Sequence, residues 1–407
     1  MIWKTLILIS IIFSANCFAI SLTTSFDKSK AIQDSKSTNF DSTLKASTVI
    51  NEMGFGWNLG NTLDAHNQNG LNEGVSSETS WGNPKTTASM IQKLVQKGFK
   101  TIRVPVTWHN HLVDYSYTID PDWMTRVKEV VDLCISNGLY VILNVHHDQS
   151  DYGVSYGSGY YPMSNQMAES ERFLLNIWSQ IVLAFNNGYD HHLIFEALNE
   201  PRLKGQTQEW WYNGNSECEE AISTINEYNN LIHTVIRSSG GNNKYRFLMY
   251  TSGAAAFSYV TADSFTMPDD SAWSPKTKRL FVSVHMYSPY DFAMNPDTSK
   301  STFTDDYKNE LESYFQTLSS KFVKNGYYVV VGEMGACDKK NDSERIKWGK
   351  YFVERTRKLK MACVIWDNNV YNTNSNAEEK FGLFHREQES WESEEYVNAL
   401  IEASKLY

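Results

Sequence analysis

Two glutamates carry the strongest chemical signal in this sequence. Glu200 lies in Leu193-Ile194-Phe195-Glu196-Ala197-Leu198-Asn199-Glu200-Pro201-Arg202, and Glu333 follows the apolar run Tyr328-Val329-Val330-Val331-Gly332. A facing pair of carboxyl groups is the apparatus of glycoside hydrolysis, one protonating the leaving oxygen while the other attacks the anomeric carbon. Burying two like charges together would drive their pKa values apart, leaving one carboxyl protonated near neutral pH and the other ionised. A single strand-end carboxylate often just caps the next helix, so the argument rests on the pair and its surroundings.

Those surroundings repeat the pattern of polar residues closing apolar runs: Ile102-Arg103-Val104-Pro105, Asn144-Val145-His146-His147-Asp148, Val284-His285-Met286-Tyr287 and Ile365-Trp366-Asp367. A guanidinium on a buried wall needs an anion, and Arg103 beside Glu333 would keep that carboxylate charged. His285 and Tyr287 are two apart and share one strand face. His146 and His147 are adjacent, so on a strand they point to opposite faces and suit no shared ion. No His-x-His, HExxH or CxxC spacing completes a ligand set, and no metal or cofactor is expected.

The elements that must hold these groups can be read from hydrophobic patterning. Eight short apolar or β-branched runs occur at Gly56–Leu59, Thr101–Val104, Tyr140–Val145, Leu193–Leu198, Phe247–Tyr250, Leu280–Val284, Tyr328–Gly332 and Cys363–Trp366. Amphipathic stretches separate most of them. One starts at Asp120 as N-cap with Pro121 in its first turn, buries Met124, Val127, Val131 and Cys134, and stops before Gly138. Another runs from Asp305 to Gly326. Near-continuous apolar strands alternating with helices imply parallel pairing covered on both faces. Eight such units suit a (β/α)8 TIM barrel, whose chemistry sits at the carboxyl ends of its strands and which sets strands four and seven opposite each other. A doubly wound sheet would require a Gly-rich phosphate turn after the first strand, and Gly60-Asn61-Thr62-Leu63 is not one.

Composition narrows the class. With 37 Lys+Arg against 47 Asp+Glu the net charge is −10, which disfavours a nucleic-acid partner. The 12 Trp, 23 Tyr and 20 Phe exceed what a core normally needs, so some rings are expected to face a ligand. Residues 1–19 read as a secretory signal peptide, Lys4 preceding an apolar run that ends at Cys17-Phe18-Ala19; no other stretch approaches a membrane span. A secreted, extracellular protein is expected. Residues 20–43, rich in Ser, Thr and Lys, read as a disordered tether, and 44–407 as one catalytic domain. Beyond the signal lie Cys134, Cys218, Cys337 and Cys363; their three possible pairings stay open, although Cys134 and Cys363 look like small core residues.

The segment from Leu193 to Arg202 resembles the acid/base signature of glycoside hydrolase family five. The resemblance extends in order through Asn58-Leu59-Gly60-Asn61-Thr62-Leu63-Asp64-Ala65, Trp81-Gly82-Asn83-Pro84, Arg103-Val104-Pro105-Val106-Thr107-Trp108, His146-His147-Asp148, Val284–Asp291 and Val331-Gly332-Glu333-Met334-Gly335. It is strongest to the branch of broad endoglucanases acting on β-1,4-glucans and often on xyloglucan. It implies Glu200 as acid/base and Glu333 as nucleophile of a retaining mechanism, with Arg103, His146, Asn199, His285 and Tyr287 in support. Trp366 would be the floor for a glucosyl ring, and Asn61, Asp64, Trp81, Trp108 and His147 would contact sugars. The roles of Trp210, Trp211 and Trp273 stay open. The expected partner is a β-glucan polysaccharide or oligosaccharide, cut by a monomer that needs no membrane. A xyloglucan- or mannan-directed hydrolase on the same frame, and a non-catalytic glycan-binding barrel, are the alternatives; the second has no need of the Glu200, Glu333, Arg103 and Asn199 set.

Overall fold

The computed structural model describes residues 33–34, 37–67, 71–151, 153–273, 278–372 and 379–407. The expected signal peptide, 1–19, lies outside them. Eight strands close a parallel barrel in chain order: β1 (Phe55–Asn58), β2 (Thr101–Val104), β3 (Tyr140–Asn144), β4 (Leu193–Glu196), β5 (Leu248–Tyr250), β6 (Leu280–Met286), β7 (Tyr328–Met334) and β8 (Ala362–Ile365), with β8 pairing back onto β1. All eight apolar runs are therefore strands, and the (β/α)8 expectation holds.

Five of the α-helices among the described residues start at a side-chain N-cap: Thr87, Asp120, Asn215, Thr304 and Ser393. Ala46–Glu52 (α1) lies before the first strand, and Ala88–Lys97 (α2) is capped by the Thr87 side chain. Pro121–Ser136 (α3) starts where the Asp120 carboxylate accepts the Asp122 N–H and buries Met124, Val127, Val131 and Cys134 as the periodicity requires. Met167–Ala184 (α4) and Ser216–Ser238 (α5) follow β3 and β4. After β5 the covering helix shrinks to Phe257–Val260 (α6). β6 leads to Tyr290–Ala293 (α7) and Asp305–Lys321 (α8), β7 to Asp342–Lys358 (α9), and β8 to a hairpin and then Glu394–Ser404 (α10).

The inside of the barrel changes character along its axis. Its lower layers are apolar, with Ile142, Ile194, Met249, Phe281 and Val330 meeting Val49 and Ile50 of α1 and Met53 just past its end, which plug the barrel from beneath. Two residues further along each strand, on the same inward face, stand Asn144, Glu196, Ser283 and Gly332, joined from β1 and β2 by Asn58 and Arg103, all buried. That polar layer is the foundation of the site.

The stretch expected to be a disordered tether is bound to the barrel over its described residues. Asp34 N donates to Leu183 O at 2.9 Å, Thr38 N to Asn187 O at 2.7 Å, and Arg279 Nη2 to Ser42 O at 2.7 Å, while Phe40 packs against the plug cluster beneath the Arg279 guanidinium. Low hydropathy gave no hint of this docking, because backbone groups, the Asp34 carboxylate, which accepts the Asn186 and Gly188 amides, and one aromatic ring make it.

One irregularity reaches the site. Val284 pairs with Val331, but His285 pairs with Glu333, so Gly332 is an extra residue on β7. The same slip appears toward β8, where Val331 faces Cys363 and Met334 faces Ile365. A Cβ on Gly332 would lie 3.2 Å from His285 Nε2 and Ser283 Oγ and 3.3 Å from Glu196 Oε1, tight against all three.

Candidate active site

Arg103, fully buried, organises the polar layer through four contacts. Its Nε donates to Glu196 Oε2 at 2.7 Å, Nη1 to Glu333 Oε1 at 2.8 Å and to Asn58 Oδ1 at 3.0 Å, and Nη2 to Asn199 Oδ1 at 2.7 Å. Burial alone would weaken its hold on a proton, yet the charges and hydrogen bonds of Glu196 and Glu333 outweigh that and push its pKa up. Glu196 is held in turn by Ser283 Oγ at 2.6 Å and Asn144 Nδ2 at 2.9 Å. Asn58 Nδ2 reaches the Gly332 carbonyl at 2.9 Å, which ties β1 to the extra residue of β7. Glu196 lay inside the quoted signature, yet nothing local marked it as a site residue, since its partners come from β2, β3 and β6.

Above this layer the two expected carboxylates meet. His285 Nδ1 lies 2.7 Å from Glu200 Oε1 and 3.7 Å from Glu333 Oε2, and Tyr287 OH donates to Glu333 Oε2 at 2.7 Å. One carboxylate oxygen of each glutamate and a ring nitrogen of His285 all fall within 4.8 Å of one another. The expectation that like-charge repulsion would leave one glutamate protonated needs correcting. Burial acts to raise the Glu200 pKa, but the hydrogen bond and charge of His285, followed by the charge of Arg202, lower it overall. Burial acts to lower that of His285, but the charge of Glu333 and the hydrogen bond and charge of Glu200 raise it. Both shifts run the same way: the Glu200–His285 contact favours the ionised carboxylate and the protonated imidazole.

Residues 63–372 match the family model for cellulase (glycosyl hydrolase family 5). The chain belongs to glycosyl hydrolase family 5. It is a glycoside hydrolase of the cellulase type. Endoglucanase A of Clostridium longisporum is 42% identical over 368 residues, covering 88% of this chain and 66% of that protein, so the chain spans about two thirds of the relative's length. A family 5 lichenase from Caldicellulosiruptor sp. F32, solved with cellotetraose, superposes with a TM-score of 0.82 at 38% identity, over 91% of this chain and 98% of the other. A GH5-4 broad specificity endoglucanase from Ruminococcus champanellensis with bound cellotriose gives 0.80 at 38% identity, over 89% and 100%.

Around the family 5 carboxylates, most of the residues expected to meet sugar line the same rim. Trp366 follows β8, its ring parallel to His146 with centroids 6.0 Å apart and planes within 3°. It packs so closely on the β1 turn that a Cβ on Gly60 would lie 2.7 Å from its ring. Asp367 behind it receives Trp57 Nε1 and the Phe384 amide, both at 2.9 Å, and fixes the loop. Burial holds His146 neutral, its Nδ1 accepting from the Asn144 amide at 3.1 Å. Asn61 sits in a left-handed turn with φ 56°, and Trp81, 38% exposed, stands 5.6 Å from His147. Asn199 is bound to Arg103 beside Glu200.

Two expected sugar contacts are not brought to this surface. Trp108 is fully buried, with its indole N–H on the Asn144 carbonyl at 2.9 Å; beyond the end of β2 the pleat no longer dictates where a side chain points. Asp64 is also buried, accepting the Thr62 and Asn61 amides at 2.6 and 3.0 Å, with His147 Nε2 3.7 Å away. It holds the β1 turn and steadies His147 from below. Asp64, His146 and His147 have the ligand types for an ion, but the Asp64 oxygens are already committed to those amides. All four described cysteines are buried thiols, and burial pushes Cys363 up to about 11.

Proposed function

We propose that this family 5 enzyme is a secreted, monomeric endo-β-1,4-glucanase working with retention, Glu333 as nucleophile and Glu200 as acid/base. The observation that carries the reading is the closeness of the two carboxylates. One oxygen of each carboxylate lies within 4.8 Å of the other, which supports the ~5–5.5 Å spacing of retaining enzymes over the ~6.5–9.5 Å of inverting ones. Glu333, steadied by Arg103 on one oxygen and Tyr287 on the other, attacks the anomeric carbon. The bond to the leaving oxygen breaks as the Glu200–His285 pair supplies one proton to that oxygen. The product is a glycosyl ester on Glu333, and the negative charge of Glu333 is gone.

Losing that charge matters for the second step. The charge of Glu333 is the largest influence raising the His285 pKa against burial, so esterification weakens the hold of His285 on its proton. Glu200, a carboxylate after the first step, accepts a proton from water as the water oxygen attacks the anomeric carbon and frees Glu333. Asn199, fixed by Arg103, is placed to bond the sugar 2-hydroxyl, a contact that strengthens as the ring approaches an oxocarbenium ion. Trp366 offers its face to the apolar side of the glucosyl ring. The cello-oligosaccharides bound by the relatives, and the broad specificity in the name of one, support a range of β-1,4-glucans as substrates.

Reducing-end release from mixed-linkage β-glucan, xyloglucan and glucomannan by wild type and Glu333→Gln tests this. Cleavage of at least one glucan by wild type, none by the variant, and a glycosyl adduct on Glu333 after reaction with a 2-fluoro cellobioside are expected. No cleavage by wild type, or an adduct elsewhere, refutes it.

A further inference from the structure

The two oxygens of Glu200 live in different surroundings. Oε1 is bound by His285, whereas Oε2 makes no hydrogen bond among the described residues; the cation facing it is Arg202, whose Nη1 stands 3.6 Å away. Oε2 is thus the oxygen free to exchange a proton with a leaving group. Arg202 is itself unfinished. Its Nε is buried without a hydrogen-bond partner and lies 3.6 Å from Glu209 Oε1, so both of its carboxylate neighbours stay beyond hydrogen-bond range. Its guanidinium rests on the ring of Trp210, 4.1 Å from the centroid, and Trp210 is 50% exposed. A flat cation lying on one face of an indole leaves the other face open, and an indole face is a platform for the apolar side of a pyranose.

We propose that Arg202 is a positioning residue that links a leaving-side sugar stacked on Trp210 to the free oxygen of Glu200. The inference rests on Glu200 being the acid/base. A sugar on the open face of Trp210 excludes water from the Arg202 sandwich, and a shift of well under 1 Å brings Nη1 into hydrogen-bond range of Oε2. There it stabilises the Glu200–His285 pair once the pair has given its proton to the leaving oxygen. The benefit comes only in the transition state and afterwards, so it appears in turnover of substrates that need protonation and hardly at all when the leaving group departs unaided. Exposed Trp210 is then the outer end of a two-residue contact reaching the chemistry.

The test compares wild type with Arg202→Gln, Arg202→Lys, Trp210→Ala and the Arg202→Gln/Trp210→Ala double variant on cellohexaose and on 2,4-dinitrophenyl β-cellobioside, with melting curves for each. Arg202→Gln is expected to lose about 10-fold in kcat/KM on cellohexaose but under about 3-fold on the aryl substrate. Its alkaline limb should move up by about one pH unit, because removing a cation beside Glu200 raises the pKa of the pair. Arg202→Lys should restore that limb. Trp210→Ala should raise KM for cellohexaose, and the double variant should lose less than the product of the single losses. Equal losses on both substrates, an unmoved alkaline limb or fully multiplicative losses would overturn the link while leaving Glu200 as acid/base. A wild type inactive on both substrates would instead sink the reading beneath it. Arg202→Lys, which keeps charge and volume, answers the pH question if Arg202→Gln fails to fold.

Discussion

Glu196→Gln removes one buried charge while keeping the shape of the side chain. The amide oxygen can still accept from Arg103 Nε and Asn144 Nδ2, and the Ser283 hydroxyl can turn to accept from the new amide N–H, so the hydrogen-bond count survives. What disappears is one of the two anions that neutralise Arg103. Breaking a buried ion pair costs ~3–5 kcal/mol, and the low end applies because Glu333 remains at 2.8 Å. With an unfolding entropy of ~2.1 cal/mol/K for each of roughly 370 residues, a loss of ~3 kcal/mol lowers Tm by about 4 °C. Catalysis should suffer separately. Arg103 would draw its whole compensation from Glu333, and a nucleophile held more tightly in the ground state attacks less readily, so a fall of about 10-fold in kcat/KM, or ~1.4 kcal/mol, is expected. Differential scanning calorimetry and initial rates on an aryl cellobioside measure the two effects. A Tm within 1 °C of wild type together with an unchanged rate would refute the reasoning that Glu196 shares Arg103 with the nucleophile.

Other perturbations test neighbouring parts of the argument. His285→Gln should move the alkaline limb of kcat/KM down by about one pH unit, since the upper titration of the pair belongs to an imidazole whose pKa is raised; an upward shift, as expected for Arg202→Gln, would show that the proton resides elsewhere. Trp108→Phe should lower stability by ~2–3 kcal/mol through a lost buried hydrogen bond and a small cavity, with KM for cello-oligosaccharides within about twofold; a large KM change would return Trp108 to the sugar surface. Arg279→Met should unfasten the segment before α1 from the barrel floor, lowering stability by ~2–3 kcal/mol and exposing the chain near Phe40 to proteolysis, measurable by limited digestion.

The barrel was legible because its strands are almost unbroken apolar runs, and runs of that kind have few alternatives to a covered parallel sheet. The eight predicted strands lie within about two residues of the observed ones. Glu200 and Glu333 stood out for the same reason, as charges at the ends of apolar segments. What escaped depends on long-range assembly. The importance of Glu196 comes from partners on three other strands, and the protonation of Glu200 is set by His285, 85 positions away, and not by Glu333 alone. Trp108 and Asp64 sit in segments that resemble the family, but resemblance does not say whether a side chain in a turn faces sugar or packing. The docking of the described residues between 34 and 44 rests largely on backbone groups, which every sequence possesses and no sequence pattern advertises.

The extra residue in β7 divides the molecule into a part that carries load and a part that carries chemistry. Below Gly332 the strands stay in step with their neighbours, and the apolar layers interlock as the packing of the interior demands. Above it, His285 is re-paired with Glu333 and the upper end of β7 is one residue out of phase. Lower-layer substitutions that keep the strands paired are thus insulated from the spacing of the catalytic groups, much as a vernier can be reset without moving the main scale. The same offset makes Gly332 the point of greatest vulnerability. A single methyl group there would press on His285, Ser283 and Glu196 together, so the histidine that bonds Glu200 and the network that anchors the nucleophile would be displaced by one small change.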